Sequence, residues 1–345
     1  MAYSTISKSS SFFNSTIYTG NGTVDTALTT GTFQPDLTWF KNRGTTESNM
    51  WMNAVRGATY YLQSNSTAGE GNSSDKISAF TSTGVTLGSG AETNENSQPL
   101  VCWAWKANGA GSANEDGSIN TTATSANTTA GFSISTYTGT GSNATIGHGL
   151  GVKPSMIICK KLNTTGSWIT YHSALGATKY LYLNATDAEA ANSTVWQDVE
   201  PTTSVFSVGS ASNCNASGST YVAYCFAEVK GFSKFGTYTA NNNADGPYVY
   251  TGFKPSFVVV KRTSTSGKGW VIMDNKRVGY NPDNEQLLAN ATDAEFTNDY
   301  MNIYSNGFKI ISDNQDVNNP DGGTYVYMAF GQPIVSTNND IATAR

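Results

Sequence analysis

One nine-residue phrase occurs three times in this chain, and no other feature limits the fold as much. It reads Phe33-Gln34-Pro35-Asp36-Leu37-Thr38-Trp39-Phe40-Lys41, then Val152-Lys153-Pro154-Ser155-Met156-Ile157-Ile158-Cys159-Lys160, then Phe253-Lys254-Pro255-Ser256-Phe257-Val258-Val259-Val260-Lys261. A second landmark keeps the same spacing: 119 residues separate Tyr18 from Tyr137 and Pro35 from Pro154, and 101 separate Tyr137 from Tyr238 and Pro154 from Pro255. A repeat of that length is a domain, which predicts three tandem modules at residues 1–110, 111–229 and 230–345.

Further landmarks recur in each copy. A tryptophan follows the proline (Trp51, Trp168, Trp270). Next come Arg56-Gly57-Ala58-Thr59, Leu175-Gly176-Ala177-Thr178 and a degraded version around Val278-Gly279-Tyr280. Asn65-Ser66-Thr67, Asn184-Ala185-Thr186 and Asn290-Ala291-Thr292 follow, and an apolar aromatic run closes each copy at 100–105, 221–226 and 325–330. These segments are short, rich in Val, Ile, Tyr, Phe and Trp, and bounded by Gly, Asn, Ser and Thr, which is strand chemistry. The run after each proline is apolar on nearly every residue, as a strand buried on both faces should be. The proline stands at its start, where a missing N–H costs the ladder nothing. The expected fold is all-β: three tandem antiparallel β-sandwich modules of jelly-roll or lectin-like type, related by internal repeat.

A helical turn is expected only near 186–191 and 292–295. The one linker-like stretch, 107–130, is mostly Gly, Ser, Ala, Asn and Thr and predicts flexibility between the first and second modules. Within it, Ser118-Ile119-Asn120-Thr121-Thr122 is a candidate first strand of the second module. Each module is large enough to bury a core of its own.

Charged residues make up 13% of the chain, about half the usual share. Such a weakly charged polar surface is common in extracellular β-proteins and virion surface proteins. A net charge of −5, with no cluster of Lys and Arg, argues against nucleic-acid binding. No stretch approaches the length of a membrane span. The segment Met1-Ala2-Tyr3-Ser4-Thr5 carries no apolar signal region, so a chain not marked for secretion is expected. The Asn-x-Ser/Thr triplets then reflect composition rather than glycosylation.

The search for chemistry assigns no catalytic, cofactor-binding or metal-binding residue. Cys102, Cys159, Cys214 and Cys225 do not recur in register and read as buried free thiols. His148 and His172 have no counterparts in the other copies and read as structural or surface residues. The oxygen-rich run from Asp313 to Gly322 lacks calcium-loop spacing and reads as turn chemistry. Asp36, Ser155 and Ser256 occupy one aligned position, so that acid is not kept within the chain. Trp51, Trp168 and Trp270 read as core anchors, whereas Trp196, Tyr280 and Tyr300 are the candidate contact residues. The recurring Lys41-Asn42-Arg43, Lys160-Lys161 and Lys261-Arg262 admit two readings: a contact for a neighbouring subunit, or a solvated strand end that blocks edge pairing.

The runs Tyr18-Thr19-Gly20-Asn21-Gly22, Phe33 to Arg43 and Val55 to Leu62 resemble a family of virion structural proteins from marine tailed bacteriophages, such as those infecting cyanobacteria. The opening Met1 to Ser10 and the close at Tyr325 to Phe330, with Ala342 to Arg345, are similar to full-length members, so the likeness covers essentially the whole chain. It implies a phage structural protein with a tail-fibre role or a lectin-like, concanavalin-type fold, and it offers no catalytic residues to carry over. The expectation is a non-enzymatic protein of the virion exterior, a homo-oligomer contacting other tail or capsid proteins. Its leading role is a tail-associated fibre or host-recognition component touching cell-surface glycans. A capsid decoration protein is the first alternative, favoured by compact modules without a coiled coil. A glycan-degrading tail enzyme is the second, and release of new reducing ends from host polysaccharide would reveal it. Divergence of the third copy around Tyr280 and Asp283-Asn284-Glu285 suits a specialised tip.

Overall fold

A computed structural model describes residues 4–277, 281 and 283–335. The chain is all-β, built from antiparallel sheets. The first large sheet runs, in spatial order, Phe13–Thr19, Pro99–Trp105, Leu37–Asn42, Met50–Asn53, Gly57–Gln63 and Gly71–Asn72. The second runs Ala123–Asn127, Phe132–Thr138, Thr220–Phe226, Met156–Lys161, Ile169–His172, Lys179–Tyr182 and Ala190–Ala191. The third begins Ser233–Thr239, Thr324–Pro333, Phe253–Arg262, Trp270–Asp274 and Asp283–Leu288, and continues through Phe296–Tyr304 and Gly307–Ile310 to Tyr248–Tyr250. In each, the closing run of the sequence lies between the leading strand and the proline strand. The register agrees as well: Trp39 faces Trp103, Ile158 faces Tyr224, and Val259 faces Met328.

Alternation along the proline strands explains why they are apolar on both faces. Trp39, Ile158 and Val259 point into one core that all three sheets share. Their neighbours Phe40, Cys159 and Val260 point outward, each into a separate cluster beneath its own sheet. Outside the first sheet, Phe40, Met50 and Met52 pack on Leu28, Val85 and Leu87 of a small second sheet. At the centre of the shared core, Trp105, Phe226 and Phe330, one from each closing strand, form a triangle with ring centroids 6.4, 5.8 and 6.0 Å apart. The sheets therefore do not bury three independent inner faces; they close on one another.

The same closure corrects both readings of the basic pairs. Lys41, Lys160 and Lys261 are fully buried. Each ammonium donates to the next residue's carbonyl and to a carbonyl of a neighbouring sheet's segment: Lys41 to Thr292 (3.1 Å), Lys160 to Thr67 (3.3 Å), Lys261 to Thr186 (3.5 Å). Beside each lysine a backbone bond crosses the same seam, from Glu295 N to Arg43 O, Glu70 N to Leu162 O and Glu189 N to Thr263 O. The third sheet is thus tied to the first, the first to the second and the second to the third. These crossing segments run extended, so the helical turns expected near 186–191 and 292–295 do not form; short helices lie instead at Ala91–Asn94, Ser193–Trp196 and Ser212–Asn215.

The stretch 107–130 is pinned rather than loose. The buried carboxylate of Asp36 accepts from Ala107 N (2.7 Å) and Gly109 N (3.2 Å), and Ser125 Oγ accepts from Asn108 N (2.8 Å). Ala107 and Ala130 lie in the shared core. The first strand of the second sheet is Ala123–Asn127, a few residues beyond the expected one. Asp36 differs from Ser155 and Ser256 because it alone of the three holds this stretch.

Burial lowers the three lysines to about 8 from an ordinary 10.5. Between those values the unfolded chain holds protons the folded chain has released, so stability rises with pH. The four thiols and the buried tyrosines act in the opposite direction. Burial raises Cys102, Cys159, Cys214 and Cys225 above 9.0, and Tyr18, Tyr137 and Tyr238 above 10.0, so the unfolded chain ionises first. The melting temperature, followed under reducing conditions, is expected to climb from about pH 7.5 to about pH 9 and to fall beyond it. A decline already between pH 8 and 9 would contradict lysines that burial has lowered to about 8.

Candidate functional site

Most recurring residues are consumed by the scaffold. The hydroxyls of Tyr18, Tyr137 and Tyr238 donate to the carbonyls of Thr93, Cys214 and Val317, and the adjoining Asn94, Asn215 and Asn318 are buried and hold the turn after each leading strand. Asn65, Asn184 and Asn290 use their side-chain oxygens to accept from the backbone of Asn49, Trp168 and Trp270 at 2.7–2.8 Å. Trp51, Trp168 and Trp270 are buried core anchors, as expected. Their alignment needs correction, however. Strand register places Lys41 opposite Asn49 by continuation from Phe40–Met50, whereas Lys261 faces Trp270 and Lys160 comes opposite Trp168. Asn49, two residues before Trp51, is therefore the counterpart of the other two tryptophans. It does their work: Asn49 Nδ2 donates across a seam to Leu288 O and Ala291 O, as the indole of Trp168 does to Gln63 O and Ser66 O and that of Trp270 to Tyr182 O.

Of the expected contact residues, Trp196 and Tyr300 are buried and make no outer surface; Tyr280 lies outside the described residues. The four cysteines are buried free thiols, as expected. His148 and His172 are both buried. His172 accepts from Ala174 N at Nδ1 and faces the carbonyl of Tyr327 at Nε2 (3.1 Å), which fixes the Nε2–H tautomer; burial lowers it to about 4, so it is neutral. Among the described residues no group of three or more His, Cys, Asp or Glu side chains is placed to hold a metal, and no helix is long and apolar enough to cross a membrane.

Exposed aromatics gather instead at one edge of the third sheet. Tyr248 and Tyr250 flank the buried Val249 on the edge strand and are about half exposed, at 46% and 53%. The exposed Tyr304 stands beside them, its ring centroid 5.9 Å from that of Tyr248. Lys234 lies 5.4 Å over the ring of Tyr250, and the Tyr248 hydroxyl donates to Asn306 Oδ1. Gly307 makes this approach possible, since a Cβ there would come within 2.2 Å of Val249 O and 2.7 Å of the Tyr248 hydroxyl. Lys309, opposite Tyr248 in the ladder, and Asp245 complete the rim as an ion pair.

This cluster does not recur. The matching short strands are Thr26–Thr29, paired with Gly84–Leu87, and Ala144–Gly147, paired with Val205–Val208; the residues flanking their buried Leu28 and Ile146 are Ala27 and Thr29, and Thr145 and Gly147. The tyrosines at 248 and 250 thus belong to the third sheet alone and have no part in the shared core. Sequence reasoning passed over them, although the alternation Tyr248-Val249-Tyr250 was a usable signal. Ring faces bordered by Asn, Asp and Lys suit stacking and hydrogen bonding to a polyhydroxylated ligand.

Fold and surface together define an all-β protein with a self-consuming scaffold and one specialised aromatic edge. The chain belongs to the family described as a domain of unknown function, DUF7483, which matches residues 8–333. No curated protein and no solved structure matches it.

Proposed function

We propose that this chain is a non-enzymatic protein of a tailed-phage virion exterior, a tail-associated host-recognition component that holds surface glycan against Tyr248, Tyr250 and Tyr304. In this reading the three sheets descend from one β-sandwich module, repeated at 1–110, 111–229 and 230–345 and closed around a threefold-like centre. The carrying observation is the unshared tyrosine cluster on a scaffold whose recurring polar and aromatic residues are spent on its own cohesion. Replacing both Tyr248 and Tyr250 by alanine is expected to weaken binding to host polysaccharide, measured by biolayer interferometry, by about tenfold or more. Stability should change by only about 0.5 kcal/mol, as for exposed positions generally. Undiminished binding in that variant sinks the glycan reading.

Capsid decoration is the second reading. The ring is compact, and Gln332 bonds both Ser7 O and Ser9, which brings the beginning and end of the described chain to one place. Such a body suits seating on a lattice. Immunogold labelling of intact particles separates the two: label on the tail supports host recognition, and label spread over the head supports decoration.

A further inference from the structure

A cavity of about 170 Å³ opens in the seam between the first and third sheets, lined by Ser9, Asn14, Ser15, Asn275, Lys276 and Gln332 among others. On the leading strands, Ser15 faces Trp103, Ile134 faces Tyr224 and Phe235 faces Met328, so these three residues hold the same position in their sheets. Ile134 and Phe235 are apolar and belong to the shared core. Ser15 is polar and does not. It is 5% exposed, and its hydroxyl has no hydrogen-bond partner, nor does Asn275 Oδ1 in the same lining. The buried Ser15 hydroxyl, left without a partner, costs stability that an isoleucine here would recover. Phe13 contributes an apolar wall, and Lys276 is the one charged side chain of the lining.

We infer that this cavity binds a single sugar ring, with an acidic sugar held more tightly than a neutral one. Asn275 Oδ1 can only accept and calls for a hydroxyl donor, Ser15 Oγ can do either, and Lys276 offers a counter-charge to a carboxylate. The volume is well under the ~300 Å³ at which pockets for drug-sized ligands begin, which suits one ring and excludes an oligosaccharide. The site shares no lining residue with the tyrosine edge, and its test does not depend on where the protein resides.

Saturation-transfer NMR of the whole chain with glucuronate and with glucose tests it. Transfer is expected to glucuronate above glucose, to drop at least tenfold in Ser15→Ile and in Asn275→Ala, and to persist in Tyr250→Ala. Ser15→Ile should melt no lower than the native protein, so its loss of binding is not a loss of fold. Absence of transfer to either sugar in the native protein, or equal transfer in Ser15→Ile, overturns the proposal.

Discussion

Alanine at Phe226 is expected to destabilise the whole chain by about 3–5 kcal/mol. Phe226 is 1% exposed and stands 6.4 Å from Trp105 and 6.0 Å from Phe330, each carried by a different sheet. It also stacks on Phe132 at 4.8 Å. Removing the ring leaves a cavity that none of the three sheets can close alone, because each inner face is held in place by the other two. The loss should appear in a single cooperative transition, with far-UV circular dichroism and tryptophan fluorescence coincident in a denaturant titration. Phe226→Leu, which keeps most of the volume, should cost less than about 1.5 kcal/mol. A biphasic curve in which one third of the strand signal melts early would show instead that the sheets stand independently.

A comparable loss, about 3–5 kcal/mol, is expected of Asp274→Ala. Asp274 is fully buried and accepts from Trp103 Nε1 of the first sheet (2.9 Å), from Arg277 Nε (2.7 Å) and from the backbone of Lys276 and Arg277. The Arg277 side chain is itself buried and continues to Glu295 (2.8 Å), which meets Arg43 of the first sheet. Alanine would leave a buried guanidinium short of its nearest counter-charge and an indole N–H without an acceptor. Asp274→Asn keeps an acceptor for Trp103 and should lose less. The corresponding positions show how local this charge is: Asn53 donates to the Tyr224 hydroxyl and His172 faces Tyr327 O, both across a seam and both without ion pairs. A change under about 1 kcal/mol in Asp274→Ala would mean that the network contributes little beyond packing.

The strands were legible because their evidence is local. Proline followed by an unbroken apolar run predicts burial on both faces, and 37–42, 156–160 and 257–262 are buried so. Landmark spacing likewise singled out Tyr18, Tyr137 and Tyr238, whose constant offset from the prolines reflects equivalent hydrogen bonds. Matching by residue identity failed at Trp51, because ladder register decides equivalence and Asn49 with Trp39 had taken over the indole's task. The lysines misled for a related reason: a charge at a strand end ordinarily meets water, and nothing near Lys160 in sequence announces the carbonyl of Thr67.

By itself, then, the sequence determined an all-β chain, its strand chemistry and its recurring landmarks, since alternation and spacing are written within each segment. The tertiary structure alone decided that three sheets share one core, that Lys41, Lys160 and Lys261 lie inside, and that Ser15, at the position of Ile134 and Phe235, lines a cavity. Each of those outcomes depends on partners drawn from distant parts of the chain, and burial is a property of the assembled contact rather than of the residue that enters it.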